Sequence, residues 1–261
     1  EAYFETDTNK IIVYNGTTWT EIVSDGTLGS FSNAYSVSFD GTDDSVLLGD
    51  SSTTLFNYGT ADFTMSIWFK PDSSANYKEL WSGHNGGGWL MYLGSSNKFG
   101  FYGDNTGLNS AGTLTVDAWN HGTVIRTSTK LKLYLNGDKI KETTISSTAT
   151  FNKQSGITVG MGHPGNNAAY GGEVDEAAVW LSALSDGGVS VGSTAGGDIA
   201  TIYNSGVPND ISTLNPIGWW RMGESNSGTG TIVTDIGAGV GGTNVDGTLS
   251  NGASFSTDVP S

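Results

Sequence analysis

The densest group of carboxylates in the 261-residue chain is Glu173-Val174-Asp175-Glu176, and a pair of carboxylates is what glycoside hydrolysis uses. Alternation along a strand places Glu173 and Asp175 on one face and Glu176 on the other. The next positions that could turn toward Asp175, 177 and 178, are both Ala. Retaining hydrolysis needs a nucleophile and an acid/base carboxyl about 5–5.5 Å apart. The segment therefore reads as carrying a structural or metal-ligating Asp175 rather than a catalytic pair.

A second carboxylate group is the turn Asp40-Gly41-Thr42-Asp43-Asp44. Calcium takes six to eight oxygens, and a Gly-containing turn offers carboxylates and backbone carbonyls together, so the expectation here is one structural Ca²⁺. The same residue types also serve as ordinary turn formers that bond their own backbone.

The three His, at 84, 121 and 163, have no metal-ligand spacing. His84 and His163 stand in loops rich in Gly and Asn, Trp81-Ser-Gly-His-Asn-Gly-Gly-Gly-Trp89 and His163-Pro-Gly-Asn-Asn-Ala-Ala-Tyr170. Aromatic faces stack on a pyranose while Asn and His bond its hydroxyls, so Trp81, His84, Asn85, Trp89, Asn166, Asn167 and Tyr170 form a candidate sugar platform. The alternative is that Trp81 and Trp89 anchor adjacent strands in a core.

These residues need strands to hold them. Phe63, Met65, Ile67 and Phe69 alternate with Thr64, Ser66, Trp68 and Lys70, the pattern of a half-buried strand. Leu131, Leu133 and Leu135 alternate likewise before Asn136-Gly137-Asp138, after which Lys139–Thr144 returns as a hairpin arm. The same reading covers Tyr35–Phe39, Ser45–Leu48, Glu79–Ser82, Trp89–Leu93, Lys98–Tyr102, His121–Thr127, Ile157–Gly160, Gly172–Trp180 and Ile217–Met222. Short strands at this spacing imply an all-β fold of two antiparallel sheets packed face to face. One short helix is expected around Asp198–Asn204, closed by Gly206, with Ser182–Gly197 and Ser225–Asp246 as loops. At the front, Lys10–Tyr14 and Thr18–Ile22 flank Asn15-Gly16 as a hairpin. A lone hairpin is marginal in water, so Ile11, Val13, Trp19 and Ile22 are expected to dock it, either on the rest of this domain or on a neighbouring chain as an assembly element.

Composition removes several classes. There are 26 Asp and Glu against 11 Lys and Arg, a net charge of −15, and residues 154–261 hold ten acids and the single base Arg221. Phosphate neutralisation requires clustered cations, so no nucleic-acid partner is expected. No apolar run reaches 18 residues, and no membrane partner is expected. Zero Cys excludes disulfides and thiol chemistry. The chain opens on Glu1 without Met, as a processed product or a segment of something longer would.

Four ordered segments resemble the laminin-G-like, concanavalin A-like lectin/glucanase superfamily: Val37–Val46, Phe63–Pro71, Trp119-Asn-His-Gly122 with Lys132–Gly137, and Gly172–Trp180 leading to Ile202–Gly206. The resemblance implies a concanavalin A-like antiparallel β-sandwich or jelly roll. Its retaining glucanases carry two glutamates around a central Asp, and the second is missing here, which implies a non-enzymatic protein. Relatives hold a structural calcium near the acidic turn with an Asp matching Asp175, which implies Asp40, Asp43 and Asp175 as ligands.

The tail, Gly218-Trp-Trp-Arg-Met-Gly223 and Gly247–Phe255, looks like an element that most relatives place before Phe39-Asp40-Gly41, which implies a circular permutation. The expected organisation is a hairpin extension over 1–30 and a sandwich over 31–261, with 215–261 supplying the permuted strands. The front segment Phe4–Glu21 also looks like short modules of bacteriophage structural proteins. It implies an exposed virion protein, homo-oligomeric, touching other virion structural proteins and cell-surface glycans, at the virion surface or otherwise extracellular. The alternative is a carbohydrate-binding lectin module of a secreted or cell-surface protein.

Overall fold

A computed structural model of the chain describes residues 2–5, 10–14, 17, 19–22, 31–49, 52–73, 77–103, 106–108, 112–162 and 168–261, with backbone alone for 2–5, 10–14, 19–22 and 106–108. The chain divides into two compact units, Glu1–Ser32 and Asn33–Ser261.

The first unit is an antiparallel sheet of β1 (Ala2–Glu5), β2 (Lys10–Tyr14) and β3 (Trp19–Ile22), with Phe4 opposite Ile11 and Ile11 opposite Ile22. The expected hairpin thus gains a third strand, because Ala2–Glu5 pairs with the edge that a two-stranded ribbon leaves open. The side chains of Ile11, Val13, Trp19 and Ile22 lie outside those described.

The second unit is a β-sandwich. Its chain order begins β4 (Ser36–Asp40), β5 (Ser45–Leu47), β6 (Phe63–Pro71), β7 (Lys78–Ser82), β8 (Trp89–Gly94), β9 (Lys98–Gly103) and β10 (Thr106–Leu108). It continues β11 (Asn120–Thr127), β12 (Lys130–Leu135), β13 (Asp138–Thr144), β14 (Thr158–Val159) and β15 (Gly171–Trp180). After the helix α1 (Gly197–Tyr203) come β16 (Gly218–Trp220), β17 (Ile232–Val233), β18 (Gly247–Ser250) and β19 (Ser254–Ser256). One sheet runs β10-β9-β8-β7-β14-β5-β18-β17 and the other β13-β12-β11-β6-β15-β4-β19, with β16 also on β15. Every pairing in both is antiparallel.

Facing apolar rows fill the space between the sheets. Val37, Val46, Met65, Ile67, Phe99, Phe101, Val124 and Leu133 are buried there. Aromatic rings hold the middle: Phe56 stacks on Trp220 at 5.9 Å, and Trp81 meets both edge-on, at 6.1 and 6.0 Å. Offset and edge-to-face pairs of this kind suit the ring quadrupole. The tail thereby contributes to the same core as the opening strands.

The outer face of β6 departs from the half-buried pattern that alternation suggests. Thr64, Ser66 and Trp68 are buried as well. The helix α1, burying Ile199 and Ile202, and the segment after β15 cover this face. Trp68 stacks on Tyr203 of the helix at 5.9 Å, and the Thr64 hydroxyl donates to Ser182 O at 2.8 Å while accepting from Leu184 N at 3.0 Å. The helix ends one residue earlier than a Gly206 cap requires, with Asn204 in the left-handed conformation at φ 43°. The expected loop Ser225–Asp246 contains β17, the strand that closes one sheet edge.

Candidate functional site

The connection between β7 and β8 is the glycine-rich loop. Gly88 has φ +91°, and a Cβ there would lie 2.4 Å from Gly83 O, so this position needs glycine on both conformational and steric grounds. Gly83 N donates to Trp89 O at 2.9 Å and Gly83 O accepts from Gln154 N at 2.7 Å, which binds the loop to the segment after Phe151. Between the two lies an open cleft of about 220 Å³, where Gly86–Gly88 face Tyr102 of β9 and the side chains of Thr150, Asn152 and Gln154. Asn152 Oδ1 accepts from Gly59 N at 2.9 Å, which orients the amide.

The sequence-derived platform is only partly brought together. Trp81 and Trp89 are 0% exposed in the sandwich core, so neither can offer a face to a sugar, and the core-anchor alternative describes them. Tyr170 is buried too, edge-on to Phe39 at 6.1 Å with its hydroxyl donating to Glu173 O. Trp89 takes an inward position on β8 with Met91 and Leu93, a register slip in β7 turns Trp81 inward beside Leu80, and Tyr170 enters the core just before β15; an inward ring between two sheets has no ligand side. His84 is half-buried, edge-on to Tyr102 at 5.5 Å, and Asn85 is exposed on the loop. Asn166 and Asn167 lie outside the described residues, as does His163.

Sequence reasoning missed Tyr102, Thr150, Asn152 and Gln154, as well as Tyr92 of β8, only 6% exposed, and Tyr77, which precedes β7. The Tyr92 ring lies across Gly100, where a Cβ would fall 2.6 Å from it, and Tyr77, 45% exposed, is 5.5 Å from Tyr92. Burial, together with the nearby Glu79 and the other two phenols, pushes the Tyr77 hydroxyl up to about 12, so it stays protonated and can donate. Alternation with the buried Met91 and Phe101 was the signal that could have assigned Tyr92 and Tyr102 outward.

At the acidic turn, Asp40, Asp43 and Asp44 bring carboxylate oxygens within 4.8 Å of one another. Asp40 Oδ1 accepts from Thr42 N at 2.7 Å and Asp44 Oδ2 from Asp40 N at 2.8 Å. Asp44 is 4% exposed and its Oδ1 is buried with no hydrogen-bond partner, an orphan oxygen that a cation would satisfy. Burial raises the Asp44 carboxyl, and the Asp40 and Asp43 charges add to it while the Asp40 N–H opposes.

Asp175 does not join this turn. Gly171 is the residue opposite Asp40, which leaves Asp175 four residues further along β15, about 13 Å away at strand rise. It meets Glu176 and Glu224 instead, all three with carboxylate oxygens within 4.8 Å. The expectation that Glu176 faces away from Asp175 fails because the strand is not regular there. The register against β6 slips between Asp175 and Ala178, and Glu176 takes φ +45°. That bulge sits where the edge of β15 changes partner from β4 to β16, and it re-aims Glu176.

The carboxylates bond the surrounding segments. Glu176 accepts from Trp219 Nε1 at 2.6 Å and Arg221 Nε at 2.8 Å, Asp175 from Asn33 Nδ2 at 2.8 Å, and Glu224 from the N–H groups of Ala34 and Tyr35 at 2.9 Å each. Burial raises Glu176 to about 7 although Arg221 and Trp219 oppose it, and burial, with the Glu176 and Glu224 charges, holds the Asp175 carboxyl well above the usual carboxylate range.

A family model described as the concanavalin A-like lectin/glucanases superfamily matches residues 40–190. The chain belongs to this superfamily. Among solved structures, a candidate carbohydrate-binding protein from Bacteroides ovatus superposes with a TM-score of 0.64 at 16% identity, over 87% of this chain. The chain spans 61% of that protein's length. The binding domain of Paraclostridial Mosquitocidal Protein 1 superposes with a TM-score of 0.50 at 17% identity, over 78% of this chain and 47% of that one. Both likenesses concern the fold alone. No curated protein matches the sequence.

Proposed function

We propose that the chain is a non-catalytic carbohydrate-binding module whose sugar site is the cleft between Gly86–Gly88 and Thr150–Gln154. One observation carries this reading: a preformed cleft of about 220 Å³ where a glycine floor, a tyrosine and two side-chain amides converge. Sugar recognition needs that combination, an aromatic surface for the C–H face and groups that both give and accept hydrogen bonds for the hydroxyls. Membership of a lectin and glucanase superfamily agrees with it. The carboxylates that could hydrolyse a glycoside are tied into the structure instead, with Asp175 and Glu176 buried and bonded to Asn33, Trp219 and Arg221.

The test is a glycan array followed by calorimetry on the strongest binder. Asn152→Ala and Gln154→Ala are each expected to weaken binding about tenfold, near 1.4 kcal/mol, with no reducing ends released. Absence of binding to every glycan, or binding that neither substitution changes, would sink the reading.

The orphan Asp44 oxygen favours a second element of function, a calcium ion held by Asp40, Asp43 and Asp44. A cation that binds only the folded chain stabilises it by mass action, about 2.7 kcal/mol at a hundredfold excess over its Kd. Calcium is expected to raise the Tm and Asp44→Asn to remove the response. Superimposable melting curves in calcium and in chelator would count against the ion. The role on a bacteriophage particle rests on the sequence of the leading segment alone.

A further inference from the structure

Resting on the carbohydrate reading, we infer that the cleft beside Gly86–Gly88 selects neutral saccharides and rejects sialylated, uronate-containing and sulfated ones. Among the described residues, every group that lines it is uncharged: glycine backbone, the Tyr102 phenol, the Thr150 hydroxyl and the amides of Asn152 and Gln154. An anionic sugar that leaves water needs a cation, best a guanidinium fork or an ammonium, to replace its hydration. Nothing in the lining can do this. A neutral hexose presents hydroxyls that give and accept, and amides answer both.

Among the described residues, the cations near the cleft are engaged by other groups. Arg126, whose guanidinium donates to Thr60 O and to Ala149 O beside the lining, is fully buried and paired with Asp62. In sequence, the cations nearest to the lining segments are Lys98 and Lys153. Lys98 stands four residues along β9 from Tyr102, about 13 Å at strand rise. Lys153 lies between two lining residues in the chain, yet it is only 8% exposed and its ammonium is 3.5 Å from Ser155 O. Of the three glycines in the lining, Gly88 has no room for a side chain, because a Cβ there would lie 2.4 Å from Gly83 O. At longer range the net charge of −15 repels an anionic glycan before it arrives. The amide of Asn152 is oriented by Gly59 N and carries no formal charge. It can order a neutral ligand without compensating an ionised one.

Isothermal titration of the full chain with matched oligosaccharide pairs tests the selection. Suitable pairs are galactose-terminated glycans with their sialylated forms, cello-oligosaccharides with oligogalacturonates, and N-acetyllactosamine with its sulfated form. The neutral member of each bound pair is expected to bind at least about tenfold more tightly. Its affinity should change less than about twofold between about 50 and 500 mM NaCl, since no ion pair is screened. Gln154→Arg, an exposed substitution whose folding circular dichroism can verify, should narrow the gap by raising the affinity for the acidic member itself about fivefold or more, since it supplies the missing cation.

An acidic member bound as tightly as its neutral partner overturns the selection and leaves the carbohydrate reading standing. A gap unmoved by Gln154→Arg overturns the assignment of selection to this cleft. No heat with any saccharide overturns the carbohydrate reading and this inference together.

Discussion

A histidine enclosed by aromatic rings has little to gain from a proton. His121 is 1% exposed, lies 4.7 Å from the Trp68 ring and 5.8 Å from Tyr203, and places Nε2 2.7 Å from the Ser66 hydroxyl. Burial lowers it from 6.5 to about 3. The unfolded chain therefore takes up this proton near pH 6.5 while the folded chain waits until about pH 3. Between those values the unfolded state binds more protons, so stability falls with acid, on the order of 3 kcal/mol by pH 4. Glu176 has the opposite sign: raised from 4.5 to about 7, it costs stability as pH rises through that range. The two effects overlap in the wild type, and a variant separates them. In urea titrations at pH 7 and pH 4, His121→Gln should lose less stability on acidification than the wild type, and parallel losses would show that His121 is not the source.

At the scale of elements, legibility follows the strength of local patterning. The strand Phe63–Pro71 announces itself through Phe63, Met65, Ile67 and Phe69, and the Leu131–Leu135 hairpin through its Asn-Gly-Asp turn. The third leading strand, Ala2–Glu5, was missed because four residues show no periodicity, and their pairing is supplied by Lys10–Tyr14. The two-residue β17 was missed for the same reason. The bulge at Glu176 has no signature in residue type, since it arises where one strand edge must serve both β4 and β16. The candidate cleft was half legible. Its glycines mark a loop, but Asn152 and Gln154 reach it from more than sixty residues downstream, and only the closed sandwich joins the two. Trp81 and Trp89 were ambiguous because neighbouring glycines suggest exposure, while their inward placement between the sheets decides burial.

At the scale of the whole molecule, the family match ends at residue 190 and the sandwich does not. Strand β18 lies between β5 and β17, β19 pairs with β4, and Trp220 packs against Phe56 and Trp81. Removing residues 215–261 would uncover that aromatic cluster and leave the edges of β5 and β4 unpaired, both aggregation liabilities. The truncated chain is expected to elute from size exclusion as aggregate, whereas a soluble monomer with native circular dichroism would show that the tail is dispensable.

The pairing of β4 with β19 also has a mechanical side. Ser36 faces Ser256, so residues just beyond the two ends of the sandwich emerge side by side. Tension applied across residues 33 and 261 would peel this antiparallel pair open from one end, rung after rung, instead of shearing its rungs together. The resistance then falls to Asp258, whose carboxylate takes Lys70 Nζ and Trp119 Nε1 while its carbonyl takes the Ser36 hydroxyl. Asp258 is thus placed as a latch: a pull on the sandwich would have to break this bonded set before the zipper behind it runs.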